Sequence, residues 1–188
     1  MNKAIFLDRD GTINVEKNYL YKIDDFEFLP GVIDALRQLQ QAGFLLIIIT
    51  NQSGIGRGYY SEEDFKKLNN WMVSTLKEKG VIITDVYYCP HLPNAKLKEY
   101  RKDCNCRKPK LGMFRQAVRD HNVCLNESYA VGDKIRDCAI CKSSACKGFL
   151  IGDNEETRII DEVKKGIIRN VSFAPDLLSF SKLIIKES

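Results

Sequence analysis

The chain has 188 residues, of which 44% are hydrophobic and 29% are charged, and its net charge is +4. This length and composition predict one globular domain over residues 1–188, with a full hydrophobic core. The mild charge excludes the concentrated basic surface of a nucleic-acid-binding protein, and no apolar stretch is long enough to cross a membrane.

Short apolar runs alternate along the chain with helical patterns, which predicts an α/β fold with a doubly wound parallel sheet. The predicted strands are residues 4–7, 44–49, 81–88, 128–131, 148–151 and about 167–171. The predicted helices lie between Gly31 and Gly43, at residues 61–79, about 111–121 and 135–145, from residue 154, and from residue 176. The polar stretch from residue 89 to residue 110 is too long for an idle connection.

Two aspartates, Asp8 and Asp10, follow directly on the first predicted strand, and Gly11 lets the backbone turn tightly after them. Two carboxylates at one strand tip can act as a nucleophile and as a general acid and base. We expect Asp8 to attack a phosphate, and Asp10 to protonate the leaving oxygen and then to activate water. A calcium loop is the alternative for this motif, but Tyr19 occupies the position of its last carboxylate ligand.

Polar segments also follow other predicted strands. They are residues 50–53, Arg107 with Lys108, and residues 132–134. The carboxyl ends of the strands of an open parallel sheet meet at one edge, where ligands bind. We therefore expect these segments to meet the two aspartates in one site, although residues 50–54 taken alone are more typical of a polar loop, and Lys134 alone of an ordinary surface lysine.

An anionic nucleophile that attacks a phosphate needs positive charge around it. We expect Mg²⁺ on Asp133, with Asp137 one helical turn further on holding the water shell of the ion. Lys108 and Lys134 are candidates to neutralise the phosphoryl oxygens, and the Thr50 hydroxyl can donate a hydrogen bond to one of them.

Cys89, His91, Cys104 and Cys106 form two i, i+2 pairs that are separated by twelve residues. Three thiolates and an imidazole make a closed tetrahedral zinc set, so we expect a structural Zn²⁺ that folds the loop 89–106. The zinc would also position the two cations that follow this loop. Free cysteines in a polar loop are the alternative.

The seven cysteines are an odd number, and no export signal precedes them. We therefore expect metal binding or burial rather than a disulfide framework, and a cytoplasmic location. Cys124, Cys138, Cys141 and Cys146 are predicted to be small core residues.

Five segments of the chain, in their order and spacing, resemble the haloacid dehalogenase-like phosphatases, and more narrowly a small branch with a zinc loop. They are Asp8-Arg9-Asp10-Gly11-Thr12, Thr50-Asn51-Gln52-Ser53-Gly54, Cys89-Pro90-His91, Cys104-Asn105-Cys106-Arg107-Lys108-Pro109 and Val131-Gly132-Asp133-Lys134. The resemblance covers nearly the whole chain. It implies a haloacid dehalogenase-like Rossmannoid fold without a large cap domain.

The resemblance implies a magnesium-dependent phosphoric monoester hydrolase with an aspartyl-phosphate intermediate. Its reaction would remove the C7 phosphate of D-glycero-D-manno-heptose 1,7-bisphosphate. The product would serve the synthesis of nucleotide-activated heptose for lipopolysaccharide or other surface glycans.

The resemblance also implies roles for particular residues. Asp8 is the nucleophile and Asp10 the proton donor, Thr50 and Lys108 stabilise the phosphoryl group, and Arg107 contributes to substrate specificity. The implied magnesium ligands are Asp8, the backbone carbonyl of Asp10, and Asp133. The implied substrate contacts are Asp8, Arg9, Asp10, Glu16, Lys17, Asn18, Tyr19, Thr50, Asn51, Gln52, Ser53, Arg107, Lys108 and Lys134. The zinc ligands are the same four that the spacing predicts.

Three alternatives stay open at this point. A histidinol-phosphate phosphatase would share the fold, the aspartates and the zinc loop, but Arg107 beside Lys108 favours a bisphosphate, because a second phosphate needs its own cation. A phosphatase for nucleic-acid ends would need an aromatic and basic track. A non-catalytic zinc-loop module would not need both aspartates. We expect a small sugar bisphosphate as substrate, no nucleic-acid or membrane partner, and a monomer.

Overall fold

The computed structural model describes residues 1–152 and 169–186. Six strands form one sheet: β1 (Ala4–Leu7), β2 (Leu45–Asn51), β3 (Asp85–Cys89), β4 (Tyr129–Gly132), β5 (Lys147–Ile151) and β6 (Val171–Ala174). Their order is β3-β2-β1-β4-β5-β6, and every neighbouring pair is parallel. The predicted doubly wound α/β fold is confirmed, and its strand order reverses between β1 and β4, where such sheets bind ligands.

Five α-helices accompany the sheet in the described residues: α1 (Val32–Gln41), α2 (Ser53–Arg57), α3 (Glu62–Glu78), α4 (Gly112–Asp120) and α5 (Leu177–Lys186). Short 3₁₀ helices lie at Ile23–Asp25, Lys98–Tyr100, Leu125–Glu127 and Ile135–Lys142. Within residues 1–152 and 169–186 no insertion forms a cap domain, and no helix combines the length and hydropathy that a membrane crossing needs.

The sheet is buried on both faces. Ile5 and Leu7 of β1 pack into a core formed with α1, α3 and α5. Ala4 and Phe6 point the other way into a second core, where the Phe6 ring meets Phe114 of α4 edge-on with 5.5 Å between the ring centroids. This two-sided burial explains why the strand sequences are continuously apolar instead of alternating.

The start of α3 is the predicted capped terminus. The Ser61 hydroxyl accepts a hydrogen bond from the Asp64 amide at 3.0 Å, and the Asp64 carboxylate accepts one from the Ser61 amide at 2.9 Å. This reciprocal capping box satisfies two helix-end donors at once. Its sequence signal is local, which is why the prediction holds to within one residue.

Some predicted elements differ from the structure. β3 begins at Asp85 and not at residue 81, because the Val81 amide donates to the Leu76 carbonyl and the Ile82 amide to the Gln40 side chain. The last strand, β6, lies a few residues later than predicted. The helix predicted from residue 154 lies outside the described residues. The short helix α2 was not predicted; it buries Ile55 in a tertiary cluster that local propensity cannot reveal.

The segment predicted as an α-helix over residues 135–145 is a 3₁₀ helix, Ile135–Lys142, with a kink at Cys138. Its first turn is held by Asp137, whose carboxylate accepts a hydrogen bond from the Lys134 amide at 2.9 Å. A Cβ atom on Gly132 would lie 2.3 Å from the Asp137 Cβ, so only glycine permits this close approach. The backbone is thus set by the position of Asp137 rather than by helix propensity.

The predicted burial of the other cysteines holds for three of four. Cys138, Cys141 and Cys146 are at most 2% exposed. Cys124 is only half-buried, and its thiol contacts the Asn126 side chain at 2.6 Å, so its prediction as a core residue is wrong. Cys124 lies beside an exposed 3₁₀ turn, which the sequence pattern did not show.

Candidate active site

Three neighbouring strands deliver the predicted site residues to one edge of the sheet. Asp8 follows β1, Thr50 lies near the end of β2, and Asp133 follows β4. Lys108 reaches the same point from the irregular segment before α4, 100 residues away from Asp8 in the chain. The structure therefore brings together the segments that were expected to meet.

Lys108 is the buried centre of this group. Its Nζ lies 2.8 Å from Asp8 Oδ1 and 2.7 Å from Asp137 Oδ1, and it donates to the Ile49 carbonyl at 2.6 Å. The Lys108 side chain is 1% exposed. Asp137, predicted to hold a water shell, is thus a counter-ion of Lys108 in the structure.

Burial and charge shift the pKa values of these groups. Burial raises the pKa of Asp8 from 3.8 to about 6, although the Lys108 charge opposes the shift. Burial and the Asp8 charge raise the pKa of Asp133. Burial alone would lower the pKa of Lys108, but the carboxylates of Asp137 and Asp8 outweigh it and raise the pKa. Two carboxylates, Asp8 and Asp137, thus share one buried cation, whereas Asp133 lies beside Lys134.

The acidic group fits a divalent cation. One carboxylate oxygen from each of Asp8, Asp133 and Asp137 lies within 4.8 Å of the other two. Oxygen donors of this kind suit Mg²⁺. Gly11 makes room for the cluster, since its φ is +79° and a Cβ there would lie 2.7 Å from Asp133 Oδ2.

Asp10 is fixed by three different donors. Arg9 Nη2 lies 2.9 Å from its carboxylate, and Asn14 Nδ2 and Gln52 Nε2 each donate to it at 3.0 Å. Arg9, predicted as a substrate contact, is fully buried and also donates to the Leu20 carbonyl at 3.3 Å. The Arg9 side chain therefore orients Asp10 and is not itself exposed at the site.

Gln52 connects Asp10 to Thr50. Its Nε2 donates to Thr50 Oγ1 at 3.0 Å, so the Thr50 hydroxyl hydrogen is left for another acceptor. The Tyr60 hydroxyl donates to Gln52 Oε1 at 2.6 Å, and burial raises the pKa of Tyr60, which keeps this donor protonated. No sequence signal marked Tyr60 as part of the site.

A cavity of about 360 Å³ opens beside Asp10. The predicted substrate contacts that line it, besides Asp10, are Glu16, Asn18, Tyr19, Asn51, Gln52, Ser53, Arg107 and Lys134. Lys17 does not line the cavity and instead forms an ion pair with Glu27 at 3.1 Å. The cavity wall also does not include Asp8, Thr50 or Lys108. Arg136 also lines the cavity and was missed; its only signal is a second basic residue two positions after Lys134.

The charged groups of this cavity influence one another. Burial lowers the pKa of Arg107, and the positive charge of Arg136 contributes in the same direction. Burial and the Asp10 charge raise the pKa of Glu16. Three cations, Arg107, Lys134 and Arg136, therefore face two acids across one opening.

The four predicted zinc ligands converge on one point. Cys106 Sγ lies 3.1 Å from Cys89 Sγ, 3.2 Å from Cys104 Sγ and 3.3 Å from His91 Nδ1. These separations are far longer than a disulfide bond, and they approach the roughly 3.8 Å between sulfurs on a tetrahedral zinc with bonds of about 2.3 Å. The donor set therefore fits one zinc ion.

The loop that carries these ligands is tied to the active site. Lys108 and Asn51 of β2 exchange two hydrogen bonds: the Lys108 amide donates to Asn51 Oδ1 at 3.0 Å, and Asn51 Nδ2 donates to the Lys108 carbonyl at 3.1 Å. Lys108 follows Cys106 by two residues. The Cys/His cluster and Asn51 together fix the backbone from which the Lys108 side chain enters the core.

Known proteins share this chain's sequence and fold. The model of the polynucleotide kinase 3 phosphatase family matches residues 3–158. A D-glycero-beta-D-manno-heptose-1,7-bisphosphate 7-phosphatase of Haemophilus ducreyi is 51% identical over 146 residues, which are 77% of this chain and 80% of that protein. The protein of the same name from Escherichia coli strain K12 is 50% identical over 134 residues, 71% of this chain and 70% of its own length.

A solved structure of a protein with a corresponding name also has a similar fold. The crystal structure of D,D-heptose 1,7-bisphosphate phosphatase from B. bronchiseptica, complexed with magnesium and phosphate, has a TM-score of 0.83 and 28% identity, and covers 100% of both chains. The fold is that of the haloacid dehalogenase-like proteins, and the relatives of this chain are phosphatases. The chain belongs to the polynucleotide kinase 3 phosphatase family within that group.

Proposed function

We propose that this protein removes the C7 phosphate of D-glycero-β-D-manno-heptose 1,7-bisphosphate, through an aspartyl-phosphate formed on Asp8. The observation that carries the chemistry is the 2.8 Å contact between Asp8 and the buried Lys108, beside a carboxylate group that fits Mg²⁺. The substrate and its anomer rest on the relatives that carry this name at about 50% identity.

In the first half of the reaction, an Asp8 oxygen forms a bond to the phosphorus of the C7 phosphate. The bond from phosphorus to the C7 oxygen breaks, and that oxygen takes the proton of the Asp10 carboxylic acid. Lys108 and the free hydrogen of the Thr50 hydroxyl bind phosphoryl oxygens. Gln52 holds the side chains of Thr50 and Asp10 in fixed positions relative to each other, because its amide nitrogen donates to both.

In the second half, Asp10 removes a proton from water, and the water oxygen attacks the phosphorus. The bond between phosphorus and Asp8 breaks, which releases phosphate and restores both carboxyl groups. The donors from Arg9 and Asn14 hold Asp10 in one orientation through both halves.

Asp8, Asp133 and the Asp10 backbone carbonyl hold Mg²⁺. When bound, this ion offsets the negative charge of the phosphate and of the carboxylates around it. Cys89, His91, Cys104 and Cys106 hold a structural Zn²⁺, which leaves Arg107 and Lys108 at the end of a rigid loop. A single domain over residues 1–188, a monomer and a cytoplasmic location stay predictions.

Parallel assays of purified protein with Mg²⁺ test the proposal. The substrates are the β and α anomers of the heptose bisphosphate, histidinol phosphate, and an oligonucleotide with a 3′-phosphate, which is the substrate class that the family description names. We expect the highest kcat/KM for the β anomer. The Asp8→Asn variant should lose at least about 10³-fold in kcat, because no other group replaces the nucleophile.

The control is the folded state of Asp8→Asn, followed by circular dichroism. A higher kcat/KM for histidinol phosphate or for the oligonucleotide would reject the proposed substrate. Undiminished turnover by a folded Asp8→Asn protein would reject the mechanism instead.

A further inference from the structure

Two arginines, Arg107 and Arg136, line the cavity that opens beside Asp10, and they come from two different segments of the chain. Arg107 directly follows the Cys/His loop, and Arg136 lies in the 3₁₀ helix after β4. Arg107 is half-buried and Arg136 is exposed at the opening. The cavity thus has a guanidinium on each of the two segments that follow the predicted metal ligands.

Neither arginine forms an ion pair among residues 1–152 and 169–186, although the charge of Arg136 acts on the nearby Asp133 carboxylate. The hydrogen bond that Arg107 makes is a long one, from Nη1 to the His91 carbonyl at 3.5 Å. Arg136 forms no ion pair and no hydrogen bond in that part of the chain. Lys134 differs, since its Nζ lies 3.4 Å from Asp133 Oδ2.

Two unpartnered guanidinium groups in one cavity repel each other. A bound anion would remove this repulsion and would use donors that are otherwise unsatisfied within the protein. Phosphate suits the arrangement best, because guanidinium presents two parallel N–H donors to its oxygens. The cavity lies beside Asp10 and not at the buried Asp8, so this phosphate is not the one that is transferred.

We propose that Arg136 is a specificity residue that acts with Arg107 to bind the C1 phosphate of the substrate. The inference rests on the proposed function and adds a residue that neither the spacing of the motifs nor the resemblance assigned. It makes the enzyme selective for a bisphosphate over a monophosphate, because only the bisphosphate fills both the transfer site and the arginine pair.

The test compares Arg136→Ala and Arg136→Lys with wild type, using the heptose 1,7-bisphosphate and the corresponding heptose 7-phosphate. We expect Arg136→Ala to raise KM for the bisphosphate about tenfold, with kcat unchanged, since a charge-assisted contact is lost. KM for the monophosphate should not change. Arg136→Lys should recover part of the loss, because lysine keeps the charge without the paired donors.

Arg115→Ala is the matched control, because Arg115 is an exposed arginine on α4 that does not line the cavity. The inference is overturned if Arg136→Ala behaves like Arg115→Ala, if it raises KM equally for both substrates, or if it lowers kcat alone. Failure of the wild-type protein to hydrolyse either heptose phosphate would overturn the proposed function and, with it, this inference.

Discussion

Lys108 sets the charge balance at the nucleophile. It contacts Asp8 and Asp137 at 2.8 and 2.7 Å in a setting almost without solvent. A buried ion pair is strongly destabilised when one partner is removed, because the other charge then stays uncompensated. Lys108 therefore compensates the charge of Asp8 in the core, and under the proposed mechanism the same ammonium group would also bind the phosphate.

The raised pKa of Asp8 leads to a prediction about Mg²⁺ binding. The folded metal-free protein holds Asp8 at a pKa of about 6, above its ordinary 3.8, so protons compete with the metal ion below about pH 6. The ionised fraction falls from about nine tenths at pH 7 to about one tenth at pH 5. We expect the Mg²⁺ affinity, measured by isothermal titration calorimetry, to weaken about tenfold from pH 7 to pH 5.

The Asp8→Asn variant is the control for this experiment, because it removes the titrating group. Its Mg²⁺ affinity should be weaker and should vary less with pH, with only the raised pKa of Asp133 still contributing. An equal wild-type affinity at pH 5 and pH 7, with the protein folded at both, would contradict the assignment of Asp8 as a metal ligand.

At the scale of elements, the loop 89–106 leads directly into two cations of the candidate site. Its four metal-binding side chains meet at one point, and Arg107 and Lys108 leave that point in the direction of the site. The exchange of hydrogen bonds between Asn51 and Lys108 attaches the end of this segment to β2. A long polar loop, which contains the short 3₁₀ helix Lys98–Tyr100, is thereby attached to the sheet.

Replacing Cys104 by Ser tests this role of the loop. We expect the variant to lose its bound zinc and to lose kcat by about 100-fold, because a displacement of Lys108 by about 1 Å is enough for such a loss. Zinc content is measured by mass spectrometry and kcat by phosphate release.

Cys124→Ser is the matched control, because Cys124 is a half-buried cysteine outside the metal-binding group. It should keep both zinc and activity. Full activity of a zinc-free Cys104→Ser protein would show that the metal does not position Lys108.

At the scale of the whole molecule, stability and catalysis depend on different regions. The site occupies the carboxyl edge of β1, β2 and β4, whereas α5 covers one face of the sheet far along the chain. Phe180 of α5 is fully buried, and its ring centroid lies 4.8 Å from that of Phe149 and 5.8 Å from that of Tyr129. This aromatic cluster joins the C-terminal helix to β4 and β5.

Phe180→Ala should therefore reduce stability without changing the chemistry. We expect the free energy of unfolding to fall by about 3–5 kcal/mol, the usual cost of a cavity left by a buried phenylalanine. Denaturant unfolding measures this change, and kcat of the folded protein should stay within about twofold of wild type.

Leu183→Ala on the same helix is the comparison, because Leu183 is 46% exposed. Its effect should be within about 0.5 kcal/mol. A similar loss for both variants would show that burial in the aromatic cluster does not set the cost of Phe180→Ala.

Local patterns were enough to predict much of the fold. The capping box at Ser61 and the apolar run of β2 depend on residues that are neighbours in sequence, so both could be predicted from short segments. The 3₁₀ helix Ile135–Lys142 does not follow in this way, because its geometry depends on the approach of Asp137 to Gly132 and Lys108. The late start of β3 has the same cause, since α1 and α3 take up the amides of the preceding residues.

The sequence by itself determined the paired aspartates and the Cys/His groups of the candidate site, but not Tyr60 or Arg136. The spacing of two aspartates after a strand predicts a nucleophile and a general acid. The spacing of two Cys/His pairs in one loop predicts a zinc site. Only the tertiary structure decided how the groups are brought together: Lys108 contacts both Asp8 and Asp137, Tyr60 donates to Gln52, and Arg136 shares one cavity with Arg107. The physical reason is that the first set depends on contacts within a few residues, whereas the pairings depend on strand order and register across the whole sheet.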